Sequence, residues 1–185
     1  MSLLPLLQSV GLAVFALLLV AAAWQDLRTM RIANALSIAI VGVWIIWAGA
    51  GWMQGRLDFA QIGMALGCAV VMFALGTLAF AAGAFGGGDV KLLAAASLFA
   101  GPAFLADMLL VTAMVGGALG LAIMAGLRVG PHIAEAPADA ANDNRPGLKV
   151  GMPYGPAIAA GGLWIVAPLA LGCPSSDKLL RIWSL

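Results

Sequence analysis

Two acidic residues of this 185-residue chain adjoin long apolar runs: Asp26 in "WQDLRTMRIAN" and Asp89 in "AFGGGDVKLL". Such a carboxylate either caps a helix or performs chemistry. As a cap, Asp89 would accept backbone N–H groups at a helix start and complement the positive end of the helix dipole. As chemistry, the two together could activate water. Carboxylates about 4 Å apart repel by roughly 4 kcal/mol at an effective dielectric of 20, so only one of them ionises at neutral pH. The ionised member then takes a proton from water while the neutral member donates to a scissile carbonyl. Neither a metal nor a cofactor is needed. Gly86, Gly87 and Gly88 bear on the choice, because residues without Cβ let backbones approach and adopt positive φ, which would hold Asp89 deep beside Asp26.

The elements that must position this pair follow from composition. Hydrophobic residues make up 63% of the chain and charged residues 9%, against about 25% charged in a soluble domain, so lipid is its solvent. A net charge of +1 gives no reason to expect a nucleic-acid partner. Cys68 and Cys173 lie in separate apolar stretches without CxxC spacing, so they are expected to fill the core rather than to bind zinc or form a disulfide.

About 20 helical residues cross the roughly 30 Å of hydrocarbon. By that measure residues 3–23, 35–51, 60–83, 103–127 and 154–172 read as full crossings. The first is read as a retained helix, since no Lys or Arg precedes it and it exceeds the length of a signal-peptide core. Residues 92–101 reach only about 15 Å. They read as a short crossing, extended at its start through Gly88, Asp89 and Val90 and tucked between other helices, because irregular backbone at membrane depth needs protein around it. The expected fold is therefore an all-α polytopic bundle of about six transmembrane helices, the fourth one short, forming one membrane domain over residues 1–185.

With the N-terminus outside, Arg28, Arg31, Lys91, Arg128, Arg145 and Lys149 fall in cytoplasmic segments and Arg56, Lys178 and Arg181 outside, in keeping with the positive-inside bias. Residues 128–151 then form a mobile cytoplasmic loop and 173–185 an extracytoplasmic tail. Although 63 residues apart, Asp26 and Asp89 both reach the cytoplasmic end, because two crossings between them return the chain. The remaining acids have simpler readings: Glu135, Asp139, Asp143 and Asp177 are solvated, Asp58 sits in an outer turn, and Asp107 reaches headgroups or caps a turn near the outer end. His132 is a solvated loop residue. Trp24, Trp52 and Trp183 are placed at interfaces. The pairs Gly63/Gly67 and Gly116/Gly120 are expected to allow close helix approach.

"DLRTMRIAN" followed by "GGGDVK" resembles the type IV prepilin peptidases, particularly the short forms associated with Flp/Tad pili, and "MPYGPAIAAGG" at residues 152–162 is similar to their proline-glycine motif opening the last helix. The resemblance spans nearly the whole chain. It implies an intramembrane aspartic endopeptidase of the bacterial inner membrane that removes the basic leader of prepilins and pseudopilins. Cleavage would follow a glycine on the cytoplasmic side of the substrate's apolar helix. Asp26 and Asp89 would be the catalytic pair, with Gly86, Gly87 and Gly88 shaping the second aspartate's turn. Lys91, Asn34 and Arg28 would bind substrate or shape the site. Lys91 could steer an acidic substrate residue or simply snorkel, and Arg28, like Arg31, could serve only as a topology anchor.

Two departures carry expectations of their own. "IAN" replaces the usual "IPN", so Ala33 should loosen a local bend. The paired CxxC motifs of the bifunctional forms do not occur, so peptidase activity without N-methyltransferase activity is expected. Two other classes fit the same residues: a small transporter with carboxylates as a proton relay, and a non-catalytic pilus-assembly protein. Against the transporter stand the lack of an internal repeat and the placement of both acids at one end.

Overall fold

In hydrocarbon every backbone N–H and C=O must be paired within the protein, so apolar runs of this length become helices. The computed structural model describes residues 3–83, 85–125 and 153–171. Within them lie α1 (Leu3–Thr29), α2 (Asn34–Met53), α3 (Phe59–Ala81), α4 (Gly87–Met124) and α5 (Gly155–Leu171), and no strand. The chain is thus a polytopic helical bundle. Four helices, α1 to α4, are long and apolar enough to cross a membrane, and α5 is a shorter apolar helix. The loop 128–151, the tail 173–185, His132, Cys173 and Trp183 lie outside the described residues.

α4 is not one rod. Gly101 has φ 52° and ψ −169° and is followed by Pro102, which splits the helix into limbs 87–100 and 102–124. Proline lacks the N–H that would continue the ladder and clashes with the carbonyl four residues back, while glycine tolerates the positive φ. The neighbours of each limb give its direction. Gly76 of α3 packs on Val90 and Ala65 lies beside Gly101, so the first limb runs antiparallel to α3. On the second limb, Met108 and Thr112 meet Gly161 of α5, and Gly116 meets Ala157, only two residues from the Gly155 N–H that bonds to Asp26. A straight continuation past Gly101 would carry Gly116 roughly 22 Å further away. The chain therefore reverses at Gly101, and among the described residues α1, α2, α3, the two limbs and α5 make six antiparallel passes.

The short pass read into residues 92–101 is this first limb, lengthened at its start to Gly87. It rises about 21 Å, less than the hydrocarbon thickness. Protein surrounds it: Leu92, Leu93, Ala95, Ala96, Ser97, Leu98, Phe99 and Ala100 are all buried. Phe99 stacks on Phe15 of α1 with ring centroids 4.0 Å apart and meets Trp47 of α2 at 5.6 Å. The core is thus centred on the limb that begins with Asp89. Trp24 and Trp52 are exposed, as interfacial rings would be. Asp58 caps α3, its Oδ1 accepting from the Gln61 N–H at 2.7 Å while Gln61 Oε1 accepts from the Asp58 N–H at 3.1 Å.

Three expectations need correction. α1 does not end at residue 23: the ladder continues until the Met30 N–H donates to the Asp26 carbonyl at 2.8 Å, which puts Asp26 inside the helix. Gly63 and Gly67 do not bring helices together, since nothing lies within 4 Å of where their Cβ atoms would be. They share a face, but it is the outward one. The tight glycine of α3 is Gly76, where a Cβ would meet Val90 Cγ1 at 2.8 Å. Cys68 is only half-buried on α3 and does not belong to the core.

Gly76→Ala is therefore expected to lower stability by about 1–3 kcal/mol through overpacking. Gly63→Ala should be neutral or raise stability by about 0.5–1 kcal/mol. Thermal unfolding of the two variants in the same detergent checks the contrast.

Candidate active site

Asp26 and Asp89 arrive at one end of the bundle from opposite directions along the chain. Asp26 occupies the final turn of α1 and is 5% exposed. The first residue of α5 meets it: the Gly155 N–H donates to Asp26 Oδ2 at 2.7 Å. A helix start carries unpaired N–H groups and the positive end of the dipole, so it suits a carboxylate. Only glycine permits the approach, because a Cβ on residue 155 would lie 2.7 Å from Asp26 Cβ and 2.8 Å from Oδ2.

Asp89 is the third residue of α4 and is 8% exposed. It is not the N-cap, since Gly86 holds that position with φ −78° and ψ 146°. From the first turn the Asp89 carboxylate reaches back and accepts the Gly86 N–H on Oδ2 at 3.2 Å. Capping therefore accounts for one oxygen. The other, Oδ1, is buried with no hydrogen-bond partner among the described residues. Both carboxylates are thus buried at the same end of the bundle. Among the described residues no group of three or more His, Cys, Asp or Glu side chains gathers into a metal-binding set.

The glycine run works by contact rather than by unusual dihedrals. None of Gly86, Gly87 and Gly88 has positive φ, and the nearby glycine that does is Gly83, at 77°. Gly88 is the tight one. A Cβ there would lie 3.1 Å from Ile32 Cβ and 3.2 Å from the Ile32 carbonyl oxygen, so the start of α4 rests on the α1–α2 turn. That turn is shaped by Met30, whose φ of 52° is rare for a side-chain-bearing residue. It ends at Ala33, whose φ of −67° is the value proline would impose and whose N–H donates to Gln25 Oε1 at 3.3 Å. Gln25 thus pairs an N–H that proline in this position would lack.

Lys91 and Asn34 meet across the mouth of the bundle, Lys91 Nζ donating to Asn34 Oδ1 at 2.8 Å. Arg28 points elsewhere, its guanidinium lying 4.5 Å from the centroid of the Trp24 ring. Asp107 is half-buried on the second limb, near the break at Gly101 and away from the pair. Sequence reasoning quoted the segment holding Gly155 but did not assign the glycine. It also missed Phe85 and Tyr154, whose rings, 4.7 Å apart, join the turn before Asp89 to the turn before α5. A glycine followed by proline at the start of an apolar run was the available signal.

Substitution of these glycines should separate contact from flexibility. Gly88→Ala and Gly155→Ala are each expected to cost about 1–3 kcal/mol, because the added methyl meets Ile32 backbone or the Asp26 carboxylate. Gly87→Ala should be tolerated, its Cβ facing only Phe80 Cε2 at 3.7 Å. Melting temperatures of the three variants measure this order.

No curated protein and no solved structure matches the chain. A model of the type IV leader peptidase family matches residues 13–121, more than half of the sequence, a stretch that holds Asp26, Asn34, Gly86–Gly88, Asp89 and Lys91. The chain belongs to the type IV leader peptidase family.

Proposed function

We propose that this membrane peptidase is an aspartic endopeptidase of the bacterial inner membrane, which removes the basic leader of type IV or Flp prepilins after a glycine at the cytoplasmic face. Water held between Asp26 and Asp89 is the nucleophile. The observation that carries this reading is the burial of both carboxylates at one end of the bundle, with Asp89 Oδ1 left unpartnered among the described residues. A buried polar atom without a partner is costly, and a bound water or a substrate carbonyl would relieve it.

The reaction needs a single proton held by the pair. The ionised carboxylate takes a proton from water as the water oxygen attacks the scissile carbonyl carbon, and the neutral carboxyl gives its proton to the carbonyl oxygen. Collapse of the tetrahedral intermediate breaks the C–N bond: the departing amine takes up a proton from one carboxyl while a hydroxyl of the diol gives its proton to the other carboxylate, so the new carboxylic acid forms and the pair is left with one proton again. The Gly155 N–H holds Asp26 in one orientation throughout, because it lies on the rigid start of α5. Cleavage after glycine suits this chemistry, since a helix hides its peptide bonds and glycine adopts the required extended backbone without steric penalty. The cytoplasmic orientation is supported by Arg28, Arg31 and Lys91, which lie at the same end as the pair.

Co-expression with a prepilin, followed by gel mobility of the leader-bearing and processed forms, tests the assignment. Asp26→Asn and Asp89→Asn are each expected to slow processing by at least about 100- to 10,000-fold, the usual worth of a positioned acid or base. Asp107→Asn should leave it largely intact. Processing that persists in either of the first two variants would overturn the dyad.

A further inference from the structure

A groove of about 630 Å³ opens between α2 and α3, floored by the first limb of α4. Its walls are apolar and open sideways, with Ile38 70% and Val70 68% exposed and Phe73 also exposed. At its inner end the character changes. Lys91 Nζ and Asn34 Oδ1 are bonded to each other there, and one turn deeper Ser37 lines the groove. Ser37 is only 6% exposed, yet its hydroxyl oxygen has no hydrogen-bond partner among the described residues. Lys91 is two residues from Asp89, and Asn34 follows the turn on which Gly88 rests, so the polar end of the groove adjoins the carboxylate pair.

Resting on the peptidase reading above, we propose that this groove receives the apolar helix of the substrate, with Ser37, Asn34 and Lys91 pairing the backbone of its locally extended segment beside the scissile bond. A peptide unwound at membrane depth exposes N–H and C=O groups that water cannot reach, and each must find a protein partner. Ser37 supplies an unused hydroxyl at that depth, able to donate and accept. A lipid acyl chain would fit the apolar walls but presents nothing to that hydroxyl. A polypeptide that is helical along the groove and extended at its inner end satisfies both halves. Lys91, the one charged residue lining the groove among the described residues, adds a preference for an acidic side chain near the cut.

Photocrosslinking in the Asp89→Asn chain, which retains uncleaved substrate, reads the position directly. Benzoylphenylalanine is placed at Ile38 or Val70 in the groove, or at Leu17 on the outward face of α1, in membranes containing a tagged prepilin. Prepilin adducts are expected from positions 38 and 70 and not from 17. Adducts formed only with lipid or with a second copy of the chain, or formed equally from position 17, overturn the proposal. Processing by the unsubstituted chain in the same membranes reads the peptidase assignment separately. Ser37→Ala gives a second test: removing an unpaired buried hydroxyl should leave the melting temperature unchanged or raised, yet lower kcat/KM for prepilin by about three- to tenfold. Ser37→Thr should restore the rate. An unchanged kcat/KM in Ser37→Ala removes the role assigned to that hydroxyl.

Discussion

A carboxylate buried near hydrocarbon survives only if something in the protein replaces its hydration, and the Gly155 N–H does this for Asp26 at 2.7 Å. The bond joins residues 129 positions apart, fixing the start of α5 against the end of α1. Much of the bundle's order follows from that junction. Gly162 of α5 packs on Leu19, about two turns back along α1, and another side of α5 meets the second limb of α4 through Gly161. The hydrogen bond is thus both a structural tie and the device that orients the proposed nucleophilic machinery.

The second carboxylate depends on a different constraint. Asp89 lies in the first turn of a limb shorter than the hydrocarbon is thick, and such a limb is stable because α1, α2 and α3 enclose it and because Gly101 and Pro102 turn the chain back at its far end. Its N-terminal turn is therefore held within protein rather than lipid. Gly88 on Ile32 and Gly76 on Val90 set its height, which leaves Asp89 Oδ1 buried and, among the described residues, unpaired rather than solvated at the surface. Short length, glycine contacts and reversal at Gly101 act together on one atom.

How much of this was legible depended on what leaves a trace in side chains. A carboxylate beside an apolar run is visible as charge out of place, and Asp26 and Asp89 stood out for that reason. The short pass was visible too, because residues 92–101 reach only about 15 Å before Gly101 and Pro102 interrupt the run. Contacts made by backbone were not visible. Gly155 acts through an N–H that every residue except proline carries, so only its missing Cβ hinted at a partner. Spacing placed Gly63 and Gly67 on one helix face without saying which face turned inward. The end of α1 was misjudged because hydropathy falls at Gln25 whereas helical hydrogen bonding has no reason to stop there.

The central claim is that Asp26 and Asp89 act on one water. It is tested most directly by an experimental structure with a peptide mimic that carries a hydroxyl in place of the scissile carbonyl. The expected result is a hydroxyl oxygen within about 3 Å of an oxygen of each carboxylate, the reach of a hydrogen bond. A mimic that binds with its hydroxyl against only one aspartate, or against neither, would contradict the account.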